Sequence, residues 1–194
     1  MTKTRRSKSA KNSRLTVSAL QKAARLMLPF YRRVVLSKTF ADRWAKAVRK
    51  ADVAEMDRML QSVIGKVPLA SLSSNAIGYF ISFPLSSPIY PITNATSIRP
   101  GQVQFTFSSP IHRAIAKAVF PLYWEIASNT PFAALIVQAI HRKNKAFLNR
   151  LIRSVVPSRR LVKLEFEPSG LALGFKYPAS KYIYYNEVFL ELDL

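Results

Sequence analysis

The sequence predicts an α+β fold made of two tandem copies of one helix–helix–strand–strand–strand module. The copies would be related by a pseudo-two-fold axis and preceded by a disordered basic arm. The prediction follows from an internal repeat, from helical apolar spacing early in each copy, and from alternating apolar residues late in it. The expected boundaries are 1–14 for the arm, 15–100 for copy one and 101–194 for copy two. Residues 84–101 are expected to be a linker within one compact unit, because they are rich in Pro, Ser, Thr and Asn.

The repeat is clearest between residues 40–64 and 132–156, which align without a gap and share seven of 25 residues. A second block precedes this one at the same offset of 92 residues, and a third block, 83–90 on 177–184, follows it at an offset of 94. Three blocks in the same order are difficult to obtain by convergence of helical patterns. A tandem duplication therefore explains them better.

The helices are predicted from apolar residues that recur every three or four positions. This spacing holds over 17–35 and again over 111–126, which predicts the first helix of each copy. Pro29 and Pro121 occupy the same place in the two segments and would interrupt the helix or begin a new turn. The aligned 25-residue blocks predict one continuous second helix in each copy.

The strands are predicted from alternation. Residues 160–177 alternate on both sides of a Pro-Ser-Gly turn, which indicates a hairpin, and the closing residues 186–194 alternate again. The counterparts in copy one are expected at about 67–73, 76–83 and 102–107.

Charge indicates the class of partner. Thirty Lys and Arg stand against ten Asp and Glu, a net charge of +20, so the protein is expected to bind nucleic acid or another polyanion. The absence of Cys excludes disulfides and thiolate metal sites. Because neither a signal peptide nor a transmembrane segment is recognised, the predicted location is cytoplasmic. The Ser/Arg-rich start also suits an organelle transit peptide, which stays open.

Catalysis is not indicated by any motif. His112 and His141 are the only histidines, and both are interpreted as solvated surface residues. The sequence contains no zinc-protease motif, phosphate-binding glycine loop or nucleophile elbow. The acidic residues of the last strands are interpreted as the outer face of a half-buried sheet. The prediction is therefore a non-enzymatic protein without catalytic residues, metal site, cofactor or small-molecule substrate.

The candidate binding residues are basic. The arm has no acidic residue, and such segments bind phosphates through counterion release. In copy two, Arg142, Lys145 and Arg153 would share one face of the predicted second helix, whereas the aligned face of copy one is mixed in charge. The candidate contacts are Lys3, Arg5, Arg6, Lys8, Lys11 and Arg14 of the arm, and Arg142, Lys143, Lys145, Arg150, Arg153, Arg159 and Arg160 of copy two.

These observations favour a nucleic-acid-associated protein that contacts phosphates without base specificity. Two alternatives remain: a structural subunit of a larger assembly, such as a coat or shell protein and including a homo-oligomer, and a peripheral protein on an anionic membrane surface. Aromatic residues near the ends of both copies, such as Tyr79 and Tyr184, are interpreted as core residues rather than as exposed platforms for bases. The sequence does not distinguish DNA from RNA.

Overall fold

The computed structural model describes residues 14–86, 90–101 and 103–191, and these ranges contain six helices and six strands. The part of the predicted arm before Arg14 lies outside the described residues. The helices are α1 (Val17–Leu36), α2 (Lys38–Lys50), α3 (Val53–Ile64), α4 (Ser109–Ser128), α5 (Thr130–His141) and α6 (Lys145–Val155). The strands are β1 (Ser71–Ser74), β2 (Gly78–Phe83), β3 (Ile92–Ile98), β4 (Leu161–Glu167), β5 (Gly170–Lys176) and β6 (Ile183–Leu190).

The architecture is mixed α+β, as predicted. Three helices followed by three strands occur twice along the chain, and all six strands form one antiparallel sheet in the order β1-β2-β3-β6-β5-β4. The third strands of the two halves are therefore neighbours, with Ala95 opposite Glu187. Both halves contribute side chains to one hydrophobic core.

Every helix begins at a residue whose short polar side chain accepts a hydrogen bond from the backbone N–H three positions later. These N-cap residues are Thr16, Ser37, Asp52, Ser108, Asn129 and Asn144. Such caps satisfy backbone donors that have no partner within the helix, and each stabilises its helix by about 1 kcal/mol.

The prediction of one continuous second helix in each half was wrong. The chain breaks at Ala51 and at Lys143, whose φ angles are 51° and 54°. Asp52 and Asn144 then cap a new helix in each half. The sequence pattern does not reveal the break, because the apolar spacing continues across it and neither glycine nor proline occurs there. Each half therefore has three helices, not two.

The prediction of a linker over 84–101 was also wrong, because β3 lies within it. The strand reads ITNATSI, and all seven residues are buried. Thr and Asn are typical of loops, but here the side chains of Thr93, Asn94 and Thr96 have hydrogen-bond partners inside the protein. Residues 103–107, part of the stretch predicted as the third strand, are not a strand.

The prolines do not end their helices. Pro29 lies inside α1 and Pro121 inside α4, each helix having 20 residues. The hairpin prediction is confirmed: β4 and β5 are joined by the predicted turn, and Glu167 pairs with Gly170.

A closed ring of hydrogen bonds lies where α1 and α4 pack on the two central strands. The Tyr31 hydroxyl donates to Asn94 Oδ1 (2.8 Å), and Asn94 Nδ2 donates to the Tyr123 hydroxyl (2.5 Å). The Tyr123 hydroxyl donates to Asn186 Oδ1 (3.0 Å), and Asn186 Nδ2 donates back to the Tyr31 hydroxyl (2.7 Å). The two tyrosine rings meet edge to face, with centroids 4.8 Å apart. Each hydroxyl both donates and accepts, so the buried polar groups satisfy one another.

Candidate nucleic-acid interface

A cationic groove lies between α6 and β4, in the second half of the chain. It has a volume of about 710 Å³ and is lined by Lys145, Asn149 and Arg153 of the helix and by Lys163 and Glu165 of the strand, with Glu165 paired to Arg99. The helix residues follow one another at intervals of four, so they share a face. The three basic side chains are exposed to solvent. We call this surface, together with the neighbouring exposed Arg142, Lys143, Arg150, Arg159 and Arg160, the α6 surface.

Not all cations of the α6 surface are equivalent. The Arg153 guanidinium donates to the carbonyl oxygens of Leu161 (2.7 Å) and Ser158 (3.2 Å), so it holds the α6–β4 loop as well as contributing charge. The Arg150 guanidinium lies 5.7 Å from the centroid of the Phe147 ring. The side chains of Lys145 and Lys163 have no hydrogen bond or ion pair to any described residue.

The prediction that Arg142 shares a helix face with Lys145 and Arg153 was wrong. Arg142 is the C-cap of α5, and Lys143 has the positive φ that ends this helix. Both residues therefore belong to the turn between α5 and α6. They remain exposed beside the start of α6, but no continuous helix aligns them with the groove.

The basic arm joins the folded protein near the α6 surface. The Leu15 N–H donates to the carbonyl oxygen of Pro168 (2.8 Å), in the turn between β4 and β5. Exposed Arg14 lies near His141, the last residue of α5. Partial burial lowers the pKa of His141, and the positive charge of Arg14 lowers it further. Arg14 and Leu15 therefore lie at the end of the molecule where α6 begins. Lys3, Arg5, Arg6, Lys8 and Lys11 lie outside the described residues.

Charge compensation differs between two aligned windows of the chain, although the halves as wholes are similar, with +8 over residues 15–100 and +6 over residues 101–194. Residues 34–72 have seven basic and four acidic residues, a net +3, whereas residues 126–164, the window 92 positions later, have eight basic and none acidic, a net +8. In the first window Lys38 pairs with Asp42 (2.7 Å), and Glu55 pairs with Arg43 (2.6 Å) and Arg58 (2.8 Å). Within the described part of the chain, no ion pair involves residues 126–164.

A second groove, here the Trp124 groove, lies between α1 and α4 and was not predicted from the sequence. Its volume is about 860 Å³, and its apolar lining includes Leu28, Leu36, Val63, Phe120 and Trp124. Arg25, Arg32 and Arg33 of α1 line it too, and all three are exposed. The sequence contains a signal for these arginines, because Arg32 and Arg33 follow Arg25 by seven and eight residues, a spacing that places all three on one side of the helix. The contribution of α4 has no local signal.

The interpretation of both histidines as solvated was wrong for His112. This side chain is fully buried, and its Nε2 lies 3.0 Å from the Tyr79 hydroxyl. Burial lowers the pKa of His112 to about 3, so the ring is neutral at physiological pH. Its place at the start of α4, with Arg113 beside it, gave no local signal of a side chain that faces the core. His141 is half-buried rather than fully solvated.

The aromatic residues near the strand ends belong to the core, as interpreted. Tyr79, Phe83 and Tyr184 are no more than 2% exposed. Trp44, Phe30 and Tyr79 pack edge to face with centroids 4.7–5.7 Å apart. Aromatic rings that are open to solvent lie elsewhere: Phe105 is 70% exposed, and Trp124 on α4 is 56% exposed.

The acidic residues of the last strands lie mainly against a cleft of about 570 Å³ on the sheet. Arg99 pairs with Glu165 and places its guanidinium 4.2 Å from the centroid of the Tyr185 ring. Burial raises the pKa of the nearby Glu187, and Glu165 raises it further, whereas Arg99 lowers it. In the described ranges, no group of three or more His, Cys, Asp or Glu residues is placed to hold a metal ion.

Comparison with protein-family models, with curated protein sequences and with solved structures gave no match to this chain. Among the helices of the described ranges, none has the length and apolar character needed to cross a membrane. Inferences about function therefore depend on the chemistry of the surfaces described above.

Proposed function

We propose that the protein binds nucleic acid through phosphate contacts made by the α6 surface and the N-terminal basic arm, and that this function is not enzymatic. The observation that carries the proposal is the uncompensated charge of residues 126–164, eight basic residues with no acidic one. Cations that have no carboxylate partner are available to displace counterions from a phosphate backbone, and this displacement drives non-specific binding.

The contrast with the first half supports the same conclusion. Helices α2 and α3 have cations too, but Asp42 and Glu55 engage three of them. A surface selected only for solubility needs no such difference between the aligned windows 34–72 and 126–164, because either would serve. Phosphate recognition explains why residues 126–164 contain no carboxylate, since each would repel the ligand; the nearby Glu165 is paired with Arg99.

The position of the arm adds to the charge of the α6 surface. Arg14 leads into the folded protein beside His141, and Leu15 is anchored to Pro168 next to the β4–β5 turn. A polyanion bound along α6 would therefore lie near Arg14, where the arm meets the folded protein. The contacts proposed in the arm are Lys3, Arg5, Arg6, Lys8, Lys11 and Arg14.

The test removes three charges from each half. One variant has Lys145, Arg150 and Lys163 replaced by Gln, and the control has exposed Lys46, Lys50 and Lys66 of the first half replaced by Gln. Arg153 is left in place, because its bonds to Ser158 and Leu161 support the fold. Binding to a fluorescent DNA duplex is measured by anisotropy over a salt series.

The α6 variant is expected to reduce the slope of log affinity against log salt by about 0.9 for each cation that touches a phosphate, hence by up to about 2.7. The control is expected to change the slope by less than half as much, because diffuse attraction alone decreases with total charge. Equal reductions in both variants would limit the proposal to general attraction by a protein of charge +20. No salt-sensitive binding to duplex DNA or RNA would refute it.

We also infer that the two halves arose by tandem duplication and are related by a pseudo-two-fold axis near Ala95 and Glu187. The first residues of α4, α5 and α6 follow those of α1, α2 and α3 by 92 positions in each case. The same offset relates Ala51 to Lys143, whose φ angles are both positive. It also relates the N-caps, the helix prolines, and the members of the Tyr–Asn ring, as Asn94 to Asn186. Duplication accounts for the divergence in charge as the specialisation of one copy.

A further inference from the structure

We propose that the Trp124 groove is a second ligand site, which binds single-stranded nucleic acid by stacking an unpaired base on Trp124. This inference rests on the proposed function but concerns a different surface, made by α1, α3 and α4. It adds a preference for unpaired strands to the phosphate contacts of the α6 surface.

The stacking partner is Trp124. The protein has two tryptophans: Trp44 is fully buried, whereas Trp124 is 56% exposed. Phe120 supports the indole from below, with the two rings nearly parallel (29°) and their centroids 6.5 Å apart. A large aromatic ring held in place and open to solvent is a platform for a base, because every base has a π face.

The rim of the groove supplies the charge. The exposed arginines Arg25, Arg32 and Arg33 line it, and no carboxylate of the described residues does. Arg25 Nε donates to the carbonyl oxygen of Ala127 (3.2 Å), which fixes its stem. In the described ranges, Arg32 and Arg33 form no ion pair. Arg25 and Arg33 are eight residues apart, about 12 Å along the helix, so the two guanidiniums would meet different phosphates.

The charge and shape of the groove favour this occupant over others. A second copy of the chain, docked face to face about a two-fold axis, would bring the same arginines together and would be repelled. An anionic bilayer is flat on this scale, so it would touch exposed Leu36 and Trp124 but not the half-buried floor formed by Leu28 and Phe120. A base, by contrast, is small enough to enter a recess of about 860 Å³.

The experiment uses the full chain, a twelve-nucleotide oligo(dT), a blunt DNA duplex and the variant Trp124→Leu. Leucine keeps an apolar contact with Phe120 but removes the π face. Binding is measured by anisotropy, and the tryptophan emission of the unmodified protein is followed during the oligo(dT) titration. Because Trp44 is buried, changes in emission report on Trp124. Arg32→Gln is compared with Lys117→Gln, since Lys117 is exposed on α4 and does not line the groove.

We expect oligo(dT) to quench the exposed tryptophan, and Trp124→Leu to weaken oligo(dT) binding by about tenfold or more while duplex affinity changes less than about twofold. Arg32→Gln is expected to weaken oligo(dT) binding more than Lys117→Gln does. Unchanged oligo(dT) affinity in Trp124→Leu would overturn the inference. So would a loss of binding to phosphatidylglycerol vesicles without a loss of oligo(dT) binding, because a membrane would then be the ligand.

The two proposals fail in different ways. If the α6 variant loses duplex binding but Trp124→Leu binds oligo(dT) normally, the α6 surface stands and the Trp124 groove falls. If the unmodified protein shows salt-sensitive binding to neither duplex nor oligo(dT), both proposals are overturned.

Discussion

The buried His112 should make the stability of the protein depend on pH through one identifiable group. Its pKa is lowered to about 3 in the folded protein by burial, whereas the ordinary value is 6.5. Between these values the unfolded chain binds a proton that the folded protein does not. The stability that depends on a neutral His112 ring is therefore fully present above about pH 6.5, and it is lost as the pH falls toward 3.

The magnitude follows from the difference in pKa. Each pH unit below 6.5 favours the unfolded state by about 1.4 kcal/mol until the folded-state value of about 3 is approached. Lowering the pH from 7 to 5 should thus cost about 2 kcal/mol through this group alone. That is a large part of the 5–15 kcal/mol typical of domain stability.

The comparison variant is His112→Leu, because Leu20, 92 positions earlier, occupies the corresponding helix position and is itself buried. Tyr79 keeps its hydrogen bond to Thr96 Oγ1 (3.1 Å) in this variant. The free energy of unfolding is measured for both proteins at pH 7 and pH 5 by urea denaturation. The contributions of carboxylates, including Asp42, whose pKa is lowered, and Glu187, whose pKa is raised, cancel in the difference between the two proteins.

The unmodified protein should lose about 2 kcal/mol more than His112→Leu over this pH range. Equal losses, within about 0.5 kcal/mol, would refute the reasoning, since they would mean that the histidine is protonated in the folded protein or that it has the same pKa in both states.

Three further outcomes are expected. Replacing Tyr31 or Tyr123 by Phe should lower the free energy of unfolding by about 1–3 kcal/mol each. The double variant should lose less than the sum, because both hydroxyls belong to one closed ring of hydrogen bonds. Additive losses in a double-mutant cycle would contradict this coupling. Gly78→Ala and Gly170→Ala should both be strongly destabilising, since an added Cβ would lie 2.2 Å from Ser97 Cβ and from the Val188 carbonyl oxygen respectively. Gly65→Ala is the comparison, because no atom lies within 4 Å of its added Cβ but its φ is +81°. The decrease in melting temperature of Gly65→Ala should therefore reflect backbone strain alone and be smaller. Deleting residues 2–13 should leave the melting temperature nearly unchanged, because Ala10 is the one apolar residue of that segment. The deletion should lower the affinity for duplex DNA and reduce the slope of log affinity against log salt. A large loss of thermal stability would show that the segment is part of the fold.

The sequence determined the features that depend on neighbours along the chain. Apolar spacing located α1 and α4, alternation and a Pro-Ser-Gly turn located the β4–β5 hairpin, and composition set the net charge of +20, from which a polyanion partner is predicted. Each of these signals is local: a helix or hairpin is encoded within about 20 residues, and net charge is a sum that needs no structure.

Only the tertiary structure decided the features that depend on residues distant in the chain. The polar strand β3 is central because Asn94 meets Tyr31 and Tyr123, and His112 is buried because Tyr79 receives it. The Trp124 groove exists only where α4 packs against α1, and Leu15 lies at the β4–β5 turn because its N–H donates to the Pro168 carbonyl oxygen. The physical reason is that a polar side chain is as stable in a core as in a loop once partners satisfy its hydrogen bonds, and those partners come from elsewhere in the chain.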